Sequence, residues 1–408
     1  MEKAWRFIWD RFFDRRTFLF YDYLVDAPEK GNALPSDAAT WHLPPPELIR
    51  RDIPNPCGHG TGMEDSVLTA GTAMDTVVMR HAVTGEEEMR SLARDIYRGM
   101  ELCMDVSSRP GFVARSVSPA DGRSHYTNSS RDQYTHWVWG AWVLFHSPLA
   151  SPGQKESIRK HLALIAAACE RDVRPENGWN LLREDGKVGI VSQMWGELSA
   201  HEYLRLPMFY AAAWKTTGEE RWEALYRRYR AEAYEKSLPF ESSSGRTYIG
   251  LQMQYSLRLL WEAEEDGAWR AKYLSLMRNL AEQYAPLTVP LGEELMKPEN
   301  LAELGWAYRP WDKVRAAYVG FFGGKAYYNP GQSELSENRV FYPLRSVGEC
   351  AAIAALCPGY RTSDEARKIL ERLLDAVDYE KHHTYAPLAL LNAYWRIRGA
   401  RPARRPPP

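Results

Sequence analysis

Two kinds of helical segment alternate along this chain, and that alternation limits the folds open to it more than any other feature. Apolar residues recur at i, i+3, i+4 and i+7 in five polar-faced segments: Met89/Leu92/Ala93/Ile96/Met100, Ile158/Leu162/Ile165/Cys169, Trp222/Leu225/Tyr226/Tyr229, Trp269/Tyr273/Leu276/Leu280 and Ala366/Ile369/Leu370/Leu373/Val377. Such a stripe marks a helix that buries one face and wets the other. Between them lie segments that are apolar or small nearly all round, at about 63–83, 132–146, 195–216, 249–264, 344–357 and 383–398. A helix without a polar face must be buried on every side.

The step from buried to surface helix is short. HAVTGEEEMRSLAR (81–94) and WKTTGEERWEALYR (214–227) share Thr-Gly-Glu with Leu and Arg in register behind it, and EEDGAWRAKYL (264–274) echoes them. Gly85 and Gly218 suit the left-handed residue that ends a helix, and the Glu residues after them suit the start of the next. The unit is a helical hairpin of roughly 60 residues, repeated. Six buried segments meet only five surface partners, and the amphipathic segment near 3–20 fills the gap. A ring of twelve helices then closes, which predicts contact between the two ends of the chain.

The returns from surface to buried helix are long. RPGFVARSVSPADGRSHYTNSSRDQ (109–133) and NGWNLLREDGKVGIVSQMWGE (177–197) each read as a hairpin turned at Asp-Gly, and YVGFFGGKAYYNPGQSELSENRVFYPLRS (318–346) is a third excursion. Long loops gathered on one rim of a rigid scaffold are where binding sites are built.

Composition narrows the partners. A net charge of −1 supplies no basic field for a phosphate backbone, so nucleic acid is not expected. Charges interrupt the N-terminal MEKAWRFIWDRFFDRRTFLFYDYL every few residues, so neither a signal peptide nor a membrane span is read there. Five cysteines (Cys57, Cys103, Cys169, Cys350, Cys357) without a CxxC pattern read as buried free thiols in a reducing, cytoplasmic setting. Residues 1–400 form one domain and 401–408, RPARRPPP, a disordered tail. Fifteen Trp and 23 Tyr exceed what one core needs and suit a cleft in which sugars stack on rings.

On the alternation from about 60 to 400, on GHGTGMEDSVLTAGTAMD (58–75) and on NSSRDQYTHWVWGAW (128–142), the chain resembles the six-hairpin, (α/α)6-toroid glycan-processing superfamily. It is most similar to the branch of unsaturated glucuronyl and rhamnogalacturonyl hydrolases and related bacterial glucuronidases. The resemblance implies an all-α fold, a six-hairpin (α/α)6 toroid with short β-hairpins in the rim loops. It also implies an acidic residue at the start of an inner helix on the cleft rim, a placement Asp132 matches. The Trp-rich, paired-Asp helix motif usual in the unsaturated-uronide hydrolases is absent, which leaves the sugar open.

Asp132 opens the apolar helix that carries Tyr134, His136 and Trp137. Ser129, Ser130 and Asp132 all suit a helix N-terminus, yet capping requires only one of them. With Arg131, Gln133 and His136 in the same turns, Asp132 reads as a general acid whose pKa a desolvated cleft raises. Its partner carboxylate is Glu64 or Asp65, at the mouth of the preceding buried helix, which capping also explains. Gln193, Trp195, Glu197 and His201 in SQMWGELSAHEYL are candidate substrate contacts, as are His59 and Trp137. Arg131, Arg115 and Arg345 suit bidentate capture of a uronate. CGHGTGMED (57–65) lacks the Lys-Ser/Thr of a P-loop, and Cys57, His59 and Glu64 have no second cluster, so no metal and no cofactor is expected.

The expected function is hydrolysis of a small, uronic-acid-containing oligosaccharide by paired carboxylates. A lyase would instead use Tyr126, Asn128, Tyr134, His136 and Arg131. An epimerase would use pairs among His59, His136, His201, His382 and His383, otherwise structural residues. A non-catalytic toroid that binds glycans or protein would lose only stability on substitution of Asp132.

Overall fold

The structure, a computed structural model, describes residues 1–21, 65–119, 122–123, 125, 127–242, 246–303, 341–380, 382 and 384–400. In chain order the helices are α1 (Glu2–Arg11), α2 (Ser66–Thr84), α3 (Glu88–Asp105), α4 (Arg131–Phe145), α5 (Pro152–Asp172), α6 (Arg205–Thr217), α7 (Glu220–Ser237), α8 (Thr247–Ala263), α9 (Gly267–Leu295), α10 (Pro298–Glu303), α11 (Phe341–Leu356), α12 (Asp364–Ala376) and α13 (Pro387–Gly399). Two short antiparallel strands, β1 (Asn180–Leu182) and β2 (Val188–Gln193), lie between α5 and α6.

The helices with no polar face pack on one another in sequence order. α2 lies on α4, α4 on α6, α6 on α8, α8 on α11, α11 on α13, and α13 returns to α2. The one-sided helices cover them: α3 against α2, α5 against α4 and α6, α7 against α6, α9 against α8 and α11, and α12 against α9 and α13. α3 shows why. Met89, Leu92, Ala93, Ile96 and Met100 are buried while Arg90, Arg94 and Arg98 are exposed. Each large apolar side chain so buried contributes about 1.5–3 kcal/mol.

Close contact between inner helices needs glycine. A Cβ on Gly71 of α2 would stand 2.2 Å from the His136 carbonyl oxygen of α4, and one on Gly348 of α11 would stand 2.4 Å from the Ala389 carbonyl carbon of α13. The contact of α13 with α2 is polar at its centre. Arg396 clasps the fully buried Asp75 carboxylate, through Nε at 2.6 Å and through Nη2, and Asn392 donates to Asp75 Oδ2 at 2.9 Å.

The chain ends meet as expected. α1 packs on α13, the Phe7 ring lies 5.0 Å from Tyr379, and the Met1 amino group pairs with Asp375 at 3.4 Å. The Thr-Gly-Glu turns also hold, with Gly85 at φ 71° and Gly218 at φ 77° closing α2 and α6. The echo at 264–274 works differently: Asp266 caps α9 by accepting from Ala268 N at 2.8 Å, and Gly267 is simply the first helical residue.

First-turn contacts place several inner N-termini at one end of the molecule. Gln133 Oε1 of α4 accepts from Leu68 N of α2 at 3.1 Å, and Arg205, first residue of α6, donates to Asp132 of α4 at 2.6 Å. Thr247, first residue of α8, donates to Glu349 of α11 at 2.6 Å. The long returns crowd the same end. β1 and β2 form the expected hairpin, turning at Asp185-Gly186 with Gly186 at φ 81°, and an isolated bridge joins Val117 to His125 around Gly122. Most of the third excursion falls outside the described residues.

One helix begins later than its apolar pattern predicts. Residues 195–204 are loop, and α6 starts at Arg205. Gly196 sits at φ 85°, and Tyr203 Oη accepts from Leu198 N and donates to Gly196 O, so side-chain bonds replace helical ones. Among the described residues no helix is long and apolar enough to cross a membrane, and Cys103, Cys169, Cys350 and Cys357 are buried free thiols. Cys57 lies outside them.

Candidate functional site

Ser130 occupies the N-cap of α4 in extended backbone, φ −142° and ψ 155°, but its side chain makes no cap bond. Ser129 Oγ, also buried, has no partner among the described residues. Asp132 does not cap the helix either. Its carboxylate turns to Arg205, whose Nη1 donates to Oδ1 at 2.6 Å and whose Nη2 donates to Gln252 Oε1 at 2.5 Å. Gln252 Nε2 reaches His136 Nε2 at 3.5 Å. His136 Nδ1 then faces Thr72 Oγ1 at 3.4 Å, and Thr72 donates to Leu68 O. A polar line thus runs from the mouth of α4 into the core.

A second pair lies beside the first. Arg131 ion-pairs with Glu202 and donates to Gln193 O at 3.3 Å, while His201 Nε2 lies 3.5 Å from Glu202. Around these pairs stand Tyr248 and Arg246 at the start of α8, both within electrostatic reach of His201 or Asp132. Arg246 is exposed. Asp132 keeps 27% of its side chain accessible against 1% for Arg205, so the carboxylate is the part of the pair that solvent or a ligand can touch.

The electrostatics reverse one expectation. Burial pushes the Asp132 carboxyl up, but Arg205 and Arg131 pull it down further, and it lies below the ordinary 3.8. Asp132 is therefore ionised at neutral pH, suited to take a proton and unsuited to the general-acid role its sequence context suggested. Burial, reinforced by Arg345, drives His136 down to about 3, and burial with Arg205 and Arg131 does the same to His201. Both imidazoles are neutral at physiological pH, and a value that low makes each a weak proton acceptor.

Asp65 stands at the N-cap of α2, yet its Oδ1 is held by Gln133 Nε2 at 2.7 Å and Arg115 Nη2 at 2.9 Å, not by the helix. Gln133 is thereby a bridge between two helix starts. Glu64 and His59 lie outside the described residues, as do His383 and Tyr126. Glu197 is exposed on the 195–204 loop. Arg345 is buried, donating to Glu349 at 2.5 Å and Tyr385 at 3.3 Å beside a cavity of ≈ 10 Å³, room for about one water.

Three aromatic candidates are corrected. Trp137 is fully buried with its indole donated to Met100 O at 2.9 Å, so it faces α3 and presents no ring to a substrate. The Tyr134 hydroxyl accepts from Val113 N at 3.2 Å in the core, where burial pushes its pKa up. Trp195, buried, packs edge-on against Tyr229 at 4.7 Å, and its carbonyl accepts from Gln193. The substrate contact expected of Trp137 and Trp195 is not offered by either buried ring, and the Tyr134 hydroxyl is not free for catalysis.

Arg205, Glu202, Gln252, Tyr248 and Arg246 were not among the sequence candidates. One signal was available for the first: Arg205 is a lone charge at the head of an otherwise apolar run, RLPMFYAAAW, and a charge there must find a partner. A wide hollow of ≈ 650 Å³ lies at the other end of the molecule, among Trp142, His146, Lys215, Glu262 and Arg270. Lys215 pairs with Glu265 within it, Glu262 and Glu264 are held by Arg258 and Arg230 from outside its lining, and short turns border it. The loop-crowned end carries the convergent, partly accessible chemistry. Compared with protein-family models, with curated proteins and with solved structures, the chain finds no match in any of the three.

Proposed function

We propose that the chain is a glycoside hydrolase on an (α/α)6 toroid, acting on a small uronic-acid-bearing oligosaccharide at the loop-crowned end. The serial packing of the inner helices, with α13 returning to α2, supports the architecture. One observation carries the function: an ionised, partly accessible Asp132 set between Arg131 and Arg205 where the long loops converge. In this reading Asp132 deprotonates the attacking water and Glu64 protonates the leaving glycosidic oxygen, a role that pairing with Arg115 disfavours for the neighbouring Asp65. Exposed Arg246 and the Arg131 pair hold the uronate, since a guanidinium meets a carboxylate in two parallel hydrogen bonds. The lyase alternative has lost Tyr134 as its base, because that hydroxyl is engaged with Val113.

Ultraviolet absorbance over time tests the proposal with two pools, intact uronate oligosaccharides and the same chains pre-cut to carry a C4–C5 double bond. A fall with the pre-cut pool, or reducing-end release from the intact one, supports hydrolysis. A rise with the intact pool means elimination. No change in any readout leaves a protein that only binds.

A further inference from the structure

Away from the loop-crowned end, α3 and α5 meet along a polar seam. Tyr97, Glu101 and Asp105 repeat every fourth residue on α3, and Ser157 and His161 do so on α5. Glu101, Asp105 and His161 each bring one ligand atom, and these atoms lie within 4.8 Å of one another. We infer that this trio binds one divalent transition-metal ion of the zinc class and clamps α3 to α5.

The hydrogen bonds around His161 set its tautomer. Ser157 Oγ donates to Glu101, and Tyr97 Oη donates to Ser157 Oγ at 3.0 Å, so both hydroxyl hydrogens are committed. His161 Nδ1 lies 3.3 Å from each of those hydroxyl oxygens and must be the donor. With Nδ1 the donor, the ring's other nitrogen, Nε2, is the one directed at the carboxylates, from a side chain only 1% exposed. Fixing the ring through its other nitrogen is how metal-binding histidines are held.

The His161–Asp105 edge suits an ion. His161 Nε2 and Asp105 Oδ1 are 3.3 Å apart, longer than the roughly 2.7–2.9 Å of a charge-assisted hydrogen bond. Tetrahedral zinc with bonds near 2.1 Å has ligand-to-ligand edges of about 3.4 Å. Charge points the same way: among the described residues no Lys or Arg pairs with Glu101 or Asp105, whereas the carboxylates Asp75, Asp132, Asp172, Glu202 and Glu349 are each met by an Arg. One imidazole and two carboxylates leave a position for water, and this donor set selects a borderline divalent cation. Sequence alone implied no such site, because the histidine is 56 residues from Asp105.

Cobalt(II) titration of the chelator-stripped full chain, followed by visible absorbance, tests the site. One equivalent should bind with the intense bands of tetrahedral cobalt, and zinc should displace it and raise the melting temperature. Asp105→Asn, at a position 59% exposed, should keep the circular dichroism of the native chain and weaken cobalt binding about tenfold or more. Ser157→Ala, which removes the hydroxyl that orients both Glu101 and His161, should weaken it without removing a ligand. Absence of one-to-one binding would identify the seam as an imidazolium–carboxylate pair and overturn the inference. Equal affinity in Asp105→Asn would place the ion elsewhere and overturn it too.

Discussion

Replacing Asp132 by Asn should cost stability as well as activity, and the stability loss should depend on pH in one direction. Arg205 is 1% exposed, and its Nε has no partner among the described residues, so its charge is compensated by Asp132 and the neutral Gln252 oxygen. Breaking a buried ion pair by removing one partner costs about 3–5 kcal/mol. The amide keeps one neutral hydrogen bond, and a quarter of Asp132 faces water, so ~2 kcal/mol is expected at pH 7. The folded pKa is depressed below 3.8, by Arg205 and Arg131 acting against burial. Stability from the ionised form is therefore fully present above the unfolded value of about 3.9 and lost as pH falls through the lower folded value. Urea unfolding followed by Trp fluorescence should show a steady gap between wild type and variant from neutral pH to about 5, narrowing below about 4. If the proposed hydrolysis is correct, turnover of a uronate oligosaccharide should fall about 10²–10⁴-fold. A variant as stable as wild type at pH 7, or a gap that persists in acid, would refute the assignment of Asp132 as the counter-charge of Arg205.

Asp75→Asn should destabilise by about 3–5 kcal/mol, and the paired Asp75→Leu, Arg396→Met change should recover much of it by removing the stranded cation; urea midpoints that rank the double variant below the single one would contradict this. Gly71→Ala forces its methyl toward the His136 carbonyl, 2.2 Å away, and should cost about 1–3 kcal/mol while loosening α2 from α4, readable by amide hydrogen exchange along both helices. Burial pushes the Cys357 thiol up to about 11 and the Cys103, Cys169 and Cys350 thiols up as well, so a Cys57→Ser chain should resist a thiol-specific chromogen until denatured, and then react at four sites.

The helical content was readable because burial leaves a period in the sequence. The Met89–Met100 stripe and the Ala366–Leu373 part of the last one became helices, and Asp185-Gly186 and the two Thr-Gly-Glu turns took the backbone their glycines permit. Side-chain pairing leaves no such period. Arg205 and Asp132 are 73 residues apart, and nothing local says that they meet. Trp137 shows the converse error. On a helix buried all round, sequence cannot tell the side facing the cleft from the side facing α3, and its indole went to Met100. The run 195–204 looked helical because a loop packed on a core is as apolar as a buried helix, and only the left-handed Gly196 separates them.

The shared direction of the inner helices has a consequence beyond packing. α2, α4 and α6 open at the loop-crowned end, and each helix start carries a macrodipole equivalent to about half a positive elementary charge. Cations at such starts are disfavoured, yet Arg131 and Arg205 are the first residues of α4 and α6, each answered by a carboxylate. With those arginines neutralised, and the charge of the exposed Arg246 balanced by that of the exposed Glu197 on the 195–204 loop, the helix starts supply the excess positive field over this end. Capture of an acidic ligand should therefore slow as ionic strength rises, while a neutral sugar would be indifferent to salt.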